Sequence, residues 1–66
     1  MPELSVVIPI MNEEDNVLPM VEAVDNALQH LDYELIFVDD GSTDETKLRL
    51  KKLLNEKIIL IELRKN

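Results

Sequence analysis

Three short runs rich in β-branched residues recur along the chain, each separated from the next by a stretch with helical spacing. Residues 4–8 read Leu-Ser-Val-Val-Ile, residues 34–38 read Glu-Leu-Ile-Phe-Val, and residues 57–63 read Lys-Ile-Ile-Leu-Ile-Glu-Leu. Runs of this length and nearly continuous apolar character suit strands buried on both faces. Strands alternating with helices pair in parallel, because a helical crossover returns the chain to the same end of the sheet. The pattern is therefore β-α-β-α-β, an α/β arrangement. Two right-handed crossovers moving the same way predict strand order 3-2-1 with both helices on one face.

The intervening stretches carry their own signals. Val17, Met20, Val21, Val24, Ala27, Leu28 and Leu31 recur at intervals of three and four, the spacing of one helix face. Pro19 would remove a backbone bond inside a helix, so the regular helix is expected from about residue 18, with Pro19 in its first turn and 13–17 as a turn leading in. Pro9 cannot donate to a ladder, so pairing of the first strand is expected to stop there. Ser42 and Glu45 stand three apart before a second helix expected over 43–55, which matches a capping box. That helix has Leu48, Leu50, Leu53 and Leu54 as its apolar positions. Its acidic residues fall at the start and Lys51 and Lys52 near the end, as the helix dipole favours.

At 66 residues the chain is one small domain at most. It contains no cysteine, so neither a disulfide nor a thiolate metal site supplements a thin core. Its 45% apolar content is too high for a disordered tail. No apolar run approaches the roughly 20 residues of a membrane span, and the first residues lack the basic and apolar regions of a signal peptide. The chain reads as cytosolic. A net charge of −7 argues against a nucleic-acid partner, which needs a basic footprint. The acidic residues Glu13, Glu14, Asp15, Asp39, Asp40, Asp44 and Glu45 gather in two segments, whereas Lys47, Arg49, Lys51 and Lys52 gather in a third.

Two consequences follow from this layout. If both helices lie on one face while the strands are apolar on both, the other face is left bare. The chain is then expected to be a piece of a larger domain, or to bury that face by self-association; its last residues, Arg64-Lys65-Asn66, carry no stop signal. Moreover, ligands bind open parallel sheets outside the carboxyl ends of the strands. Both acidic segments belong there, one after each of the first two strands. An aspartate at such a place can accept hydrogen bonds from a nucleobase N–H or a ribose hydroxyl. No lysine, arginine or glycine-rich cradle stands nearby, so the chemistry suits base and sugar better than phosphates.

Plainer readings exist for the same residues. Ser42 and Glu45 fit a helix cap. Asp40 fits a turn residue as well as a ligand contact, and residues 13–15 fit a solvated helix start. His30, near a helix end, suits a surface role, and Met11 and Met20 suit packing.

The stretches Ser-Val-Val-Ile-Pro-Ile-Met-Asn-Glu-Glu (residues 5–14) and Tyr-Glu-Leu-Ile-Phe-Val-Asp-Asp-Gly-Ser-Thr-Asp-Glu-Thr (residues 33–46) resemble the opening of the family-two glycosyltransferases. Within that family the likeness is strongest to the polyprenyl-phosphate branch, which includes dolichol-phosphate mannosyltransferase. The resemblance implies the β-α-β-α-β half of the Rossmann-like, A-type nucleotide-diphosphosugar transferase fold, with residues 1–66 as a single N-terminal nucleotide-binding segment. It implies that Pro9 and Glu13 line a base and ribose pocket, that Asn12 shapes its loop, that Asp40 hydrogen-bonds the base, and that Asp39 and Ser42 hold the loop. Met11 departs from the family pattern, which has a tyrosine packed on the base; methionine can cover a base but stacks less well. The family's metal-binding Asp-x-Asp motif and its acceptor-side catalytic residues lie further along than this chain reaches. The resemblance thus implies a nucleotide-sugar donor, a polyprenyl phosphate acceptor, a magnesium or manganese ion in the intact enzyme, and a place at the cytoplasmic face of a membrane. No catalytic or metal-binding residue is expected in this segment, which should be inactive alone. The rival readings are a self-associating α/β chain without a ligand, and a receiver-like signalling domain. The latter needs an aspartate after its third strand, where this chain has Glu62-Leu63-Arg64.

Overall fold

A computed structural model describes residues 1–63; the ending at Arg64-Lys65-Asn66 lies outside the described residues. The elements run β1 (Leu4–Ile10), α1 (Val17–Leu28), β2 (Tyr33–Asp39), α2 (Thr46–Leu53) and β3 (Ile58–Glu62). The strands form one parallel sheet in the order β1-β2-β3, which is the predicted order viewed from the other side. Val6, Leu35 and Ile58 share one row across the sheet, Ile8, Phe37 and Leu60 the next, and Ile10, Asp39 and Glu62 the last.

Side chains alternate along a strand, so these rows all face one way, and that is the side both helices cover. Val17, Met20, Val21, Val24 and Leu28 of α1 and Leu50 and Leu53 of α2 pack into a single cluster with Val6, Ile8, Ile10, Tyr33, Leu35, Phe37, Ile58 and Leu60. Leu35, Phe37, Val17 and Leu50 are completely enclosed. A chain of this size retains on the order of 3–10 kcal/mol of net stability, and truncating one enclosed aromatic costs about 3–5 kcal/mol. Phe37 alone thus accounts for a large share of what holds the chain folded.

Several boundaries differ from expectation, each for a physical reason. β1 does not stop at Pro9 but runs through it to Ile10. The Leu4 N–H donates to the Asp32 carbonyl and the Ile10 carbonyl accepts from the Asp40 N–H, so residues 4 and 10 turn their backbone groups toward β2. Backbone direction alternates along a strand, so Pro9 turns its nitrogen to the open edge, where no donor is required. α1 begins at Val17 after Asn16, which puts Pro19 third in the helix. The amides of the first turn have no intrahelical acceptor, so the missing N–H there removes nothing. α2 is shorter than expected: it starts at Thr46 and ends at Leu53. Its first turn therefore contains no acidic residue, although Lys51 and Lys52 do occupy the last turn. Leu48, expected in the core, is exposed, as is Leu54 beyond the helix.

The opposite face of the sheet carries Val7, Ile36 and Ile59 in one row and Pro9, Val38 and Ile61 in the next. Val7, Ile59 and Ile61 are 58%, 40% and 45% exposed. Only below them, where the Ser5 hydroxyl donates to Glu34 (2.9 Å), does this face turn polar. A contiguous apolar face of this kind drives association in water. The apparent mass of the purified chain in sedimentation velocity should therefore rise with concentration. Ile61→Lys, a change remote from the helix-covered core, should move the distribution toward monomer. A wild-type chain that stays monomeric at high concentration contradicts this expectation.

Candidate functional site

The carboxyl ends of β1 and β2 are level, with Ile10 paired to Asp39, so the loops that follow them start side by side. The first loop spans 11–16 and the second 40–45. Each carries one residue with positive φ. Gly41, at φ 90°, makes the turn that a β-carbon would obstruct. Asn12, at φ 53°, occupies the left-handed region that asparagine tolerates better than most residues.

Those two conformations let the loops lace together. The Asn12 N–H donates to Ser42 Oγ (3.0 Å), and Asn12 Oδ1 accepts from the Thr43 N–H (2.8 Å). The Glu13 N–H donates to Thr46 Oγ1 (2.9 Å) and the Glu14 N–H to Asp44 Oδ2 (3.4 Å). In return the Glu45 N–H donates to Glu14 Oε2 (3.2 Å), and Arg49 Nη1 donates to the Glu14 carbonyl (3.1 Å). Arg49 also lies 3.7 Å from Asp15 and 3.6 Å from Glu45, so a cation sits against the acidic loops.

Two carboxylates anchor this lacing from below. Asp39 is 1% exposed and accepts from both the Ser42 hydroxyl and the Ser42 N–H. Asp44 accepts from the Thr46 hydroxyl and from the Thr46 N–H (2.9 Å). Ser42 is therefore not the helix cap suggested by its spacing from Glu45. Its hydroxyl is committed to Asp39 and Asn12, and Glu45, which precedes α2, makes no side-chain cap bond. The residue that reads as a partner of the cap is the residue at the helix boundary itself.

The seven residues singled out in the sequence occupy distinct places. Asn12, Asp39 and Ser42 form one bonded chain. Pro9 and Glu13 line a depression with Ile10, Pro19 and Met20 beside the start of α1, and Asp39, Asp40 and Ser42 are not in its wall. Met11 is half-exposed. Asp40 is partly buried at the start of the second loop, and its N–H donates to the Ile10 carbonyl (3.1 Å). Sequence reasoning did not single out Glu14, Asp44 and Thr46 as linking residues. The available signal was a hydroxyl residue two positions after an aspartate, a spacing that lets the carboxylate bond the backbone of the residue two further on.

The comparisons with known proteins bear on this pair of loops. The profile of the glycosyl transferase family 2 matches residues 5–66. The chain belongs to that family. It is 44% identical over 69 residues to the dodecaprenyl-phosphate galacturonate synthase of Rhizobium johnstonii, covering 97% of this chain and 20% of the relative. It is 43% identical over 51 residues to the dolichol-phosphate mannosyltransferase of Pyrococcus furiosus, covering 77% of this chain and 14% of the relative. A crystal structure of glucosyl-3-phosphoglycerate synthase from Mycobacterium tuberculosis in complex with uridine diphosphate superimposes with TM-score 0.68 at 27% identity, over 92% of this chain and 21% of that one. The chain thus spans about a fifth or less of the length of each of these proteins. Family membership removes the receiver-like alternative and agrees with the A-type half-fold. Among the described residues no helix is long and apolar enough to cross a membrane.

The lacing has a testable acid dependence. The Asp44 carboxyl is held below the ordinary aspartate range, chiefly by the Thr46 hydroxyl, with backbone N–H groups adding to this against a partial desolvation. A carboxyl whose pKa is lower folded than unfolded stabilises the fold above its unfolded value, about 3.9. That contribution disappears as pH falls through the lower, folded value. Urea melts at neutral pH and at about pH 2 should show a larger stability loss for the wild-type chain than for Asp44→Asn, which has no proton to gain. Equal losses in the two proteins contradict this role for Asp44.

Proposed function

We propose that this chain is the donor-nucleotide-binding segment of a glycosyltransferase that moves a sugar from a nucleotide-sugar to a polyprenyl phosphate. What supports the reading most directly is the side-by-side placement of the two family motifs at one sheet edge, with Asp39 turned inward and bonded. The relatives supply the rest: two carry polyprenyl-phosphate and dolichol-phosphate chemistry in their names, and a structural neighbour holds uridine diphosphate.

In this reading Asp40 accepts a hydrogen bond from the base, while Asp39 and Ser42 hold its loop. Pro9, Met11 and Glu13 flank the base and ribose, and Asn12 fixes the loop between them. Adjacent residues of a strand point to opposite faces, so once Asp39 is committed to Ser42 the outward role falls to Asp40.

A divalent cation bound to the intact enzyme would supply Lewis-acid neutralisation of the leaving diphosphate. The described residues do not fit such an ion. None of them forms a group of three metal-ligating side chains, and Asp39 and Asp44 are occupied by hydroxyl and amide donors. No step through a metal is therefore assigned to this segment, and the chemistry of transfer belongs to other residues of the intact enzyme. In that protein the segment sits at the cytoplasmic face of a membrane, where a polyprenyl phosphate is presented.

The test separates the two aspartates. Asp40→Asn exchanges an acceptor oxygen for a donor group and should weaken nucleotide binding by about 1–3 kcal/mol, with a smaller change in stability than Asp39→Asn. Asp39→Asn leaves Ser42 with one acceptor fewer in a buried place, and should lower stability by a similar amount while affecting binding less. Calorimetric titrations with uridine and guanosine diphosphates, with urea melts alongside, distinguish these outcomes. Loss of nucleotide on Asp39→Asn with normal binding by Asp40→Asn reverses the assignment. The purified 66-residue chain should also transfer no sugar to a polyprenyl phosphate, and measurable transfer overturns its role as a binding segment only.

A further inference from the structure

Thr46 stands out among residues with no place in the proposed nucleotide contacts. It is fully buried, with no accessible surface, so it cannot touch a ligand. Its hydroxyl nevertheless bridges the two loops, donating to Asp44 and accepting the Glu13 N–H at 2.9 Å. The chemistry of the two flanking groups dictates what must stand between them. A backbone N–H only donates and an ionised carboxylate only accepts. The linking atom must therefore do both, which a hydroxyl does with one proton and its lone pairs.

The consequence lies in what Glu13 does next. Its carbonyl accepts from the N–H groups of Asn16 (2.9 Å) and Val17 (3.1 Å), and its side chain accepts from Asn16 Nδ2 (2.8 Å). Glu13 is thus the point from which the turn into α1 is built, and Thr46 fixes the peptide in front of it. Asn12, on the other side of that peptide, is bound to Ser42 and Thr43. Rotating the Glu13 amide away from Thr46 would turn Asn12 as well, and with it the base-facing loop.

We infer that Thr46 is a positioning residue for the nucleotide: its hydroxyl sets the 12–13 peptide, and the binding loop adopts its shape only while that link is made. This rests on the donor-binding reading above. Thr46→Val keeps the shape of the side chain and removes both hydrogen bonds. Thr46→Ser keeps both and removes a buried methyl group. Both variants should lose some stability, so stability alone cannot distinguish the roles. Affinity should. Under conditions where circular dichroism shows the chain folded, Thr46→Ser should bind uridine or guanosine diphosphate within about twofold of wild type. Thr46→Val should bind about tenfold or more weakly, the scale of one unpaired buried donor. Amide hydrogen exchange should show the Glu13 N–H protected in wild type and Thr46→Ser and unprotected in Thr46→Val.

A wild-type chain that binds neither nucleotide overturns the donor-binding reading and this inference with it. A wild-type chain that binds, with Thr46→Val binding equally well, overturns this inference alone. Should Thr46→Val not fold, Thr46→Ser decides: unchanged affinity with a protected Glu13 amide supports the role, and lost affinity in a folded protein overturns it.

Discussion

The buried carboxylate of Asp39 is the group on which the upper edge of the sheet depends. A carboxylate removed from water must be hydrogen-bonded or it strongly destabilises the fold. Both of its partners belong to Ser42, three residues further along the chain: the hydroxyl and the backbone N–H. Reaching them requires a tight turn, which Gly41 supplies with its positive φ. Once the Ser42 hydroxyl donates its one hydrogen bond to Asp39, the oxygen can only accept, and it accepts from the Asn12 N–H. Asn12 then enters the left-handed region and returns its own side-chain oxygen to the Thr43 N–H. Asp44, Thr46 and Glu13 repeat the same order of carboxylate, hydroxyl and amide one step further along. Two parallel relays thus fix one loop against the other. Among the described residues no buried side-chain polar atom is left without a partner.

The same sheet that carries these relays is finished on one side only. Rows containing Leu35 and Phe37 are covered by both helices, while the rows between them, with Val7, Ile59 and Ile61, are exposed. This one-sidedness is a property of the connections. Two crossovers of one hand, moving in one direction, cannot place helices on opposite faces. The chain spans only about a fifth of two of the proteins it matches. The relays at the sheet's end are bonded within residues 12–46 and involve none of the exposed rows. The loop edge is therefore built locally, independent of the exposed face of the sheet.

Strands, helices and their order were legible because nearly continuous β-branched runs alternate with stretches of helical spacing. Alternating β-branched runs and the three-and-four spacing of α1 survive any detail of packing. Boundaries were less legible because they depend on which direction a backbone group faces. Pro9 marks the end of a strand only if its nitrogen must pair, and in an edge strand every second nitrogen need not. Ser42 and Glu45 have the spacing of a cap, but spacing is silent about a stronger claim on the same hydroxyl. A buried aspartate three residues earlier supplies that claim. The site residues divide in the same way. Strand alternation anticipates that Asp39 and Asp40 do not both face one way, but only the resemblance pointed to Asp39 as the one that holds the loop. The part of Thr46 depends on a contact between residues 33 positions apart, which no local pattern encodes.

The electrostatics of the edge narrow what such a segment can offer a nucleotide. Glu13, Glu14, Asp15, Asp39, Asp40, Asp44 and Glu45 all gather at the ends of the first two strands, in a chain of net charge −7. Arg49 meets this cluster, yet its guanidinium is already shared among the Glu14 carbonyl, Asp15 and Glu45. A diphosphate brought to the loops would meet mostly like charge, the seven carboxylates outweighing Arg49 and Lys52, which lines a depression with Glu14 and Asp15, and unscreened like charges at short range repel strongly. A base or a ribose carries no such charge and presents donors that carboxylates accept. On the proposed reading the segment suits the neutral half of a nucleotide, and the neutralising charge for the diphosphate comes from another part of the enzyme. That division separates recognition from transfer: residues that read the base need an acceptor-rich, rigid loop, whereas residues that stabilise a departing diphosphate need concentrated positive charge. The two requirements conflict if placed on one loop, and on the proposed reading the lacing of residues 12–46 serves the first.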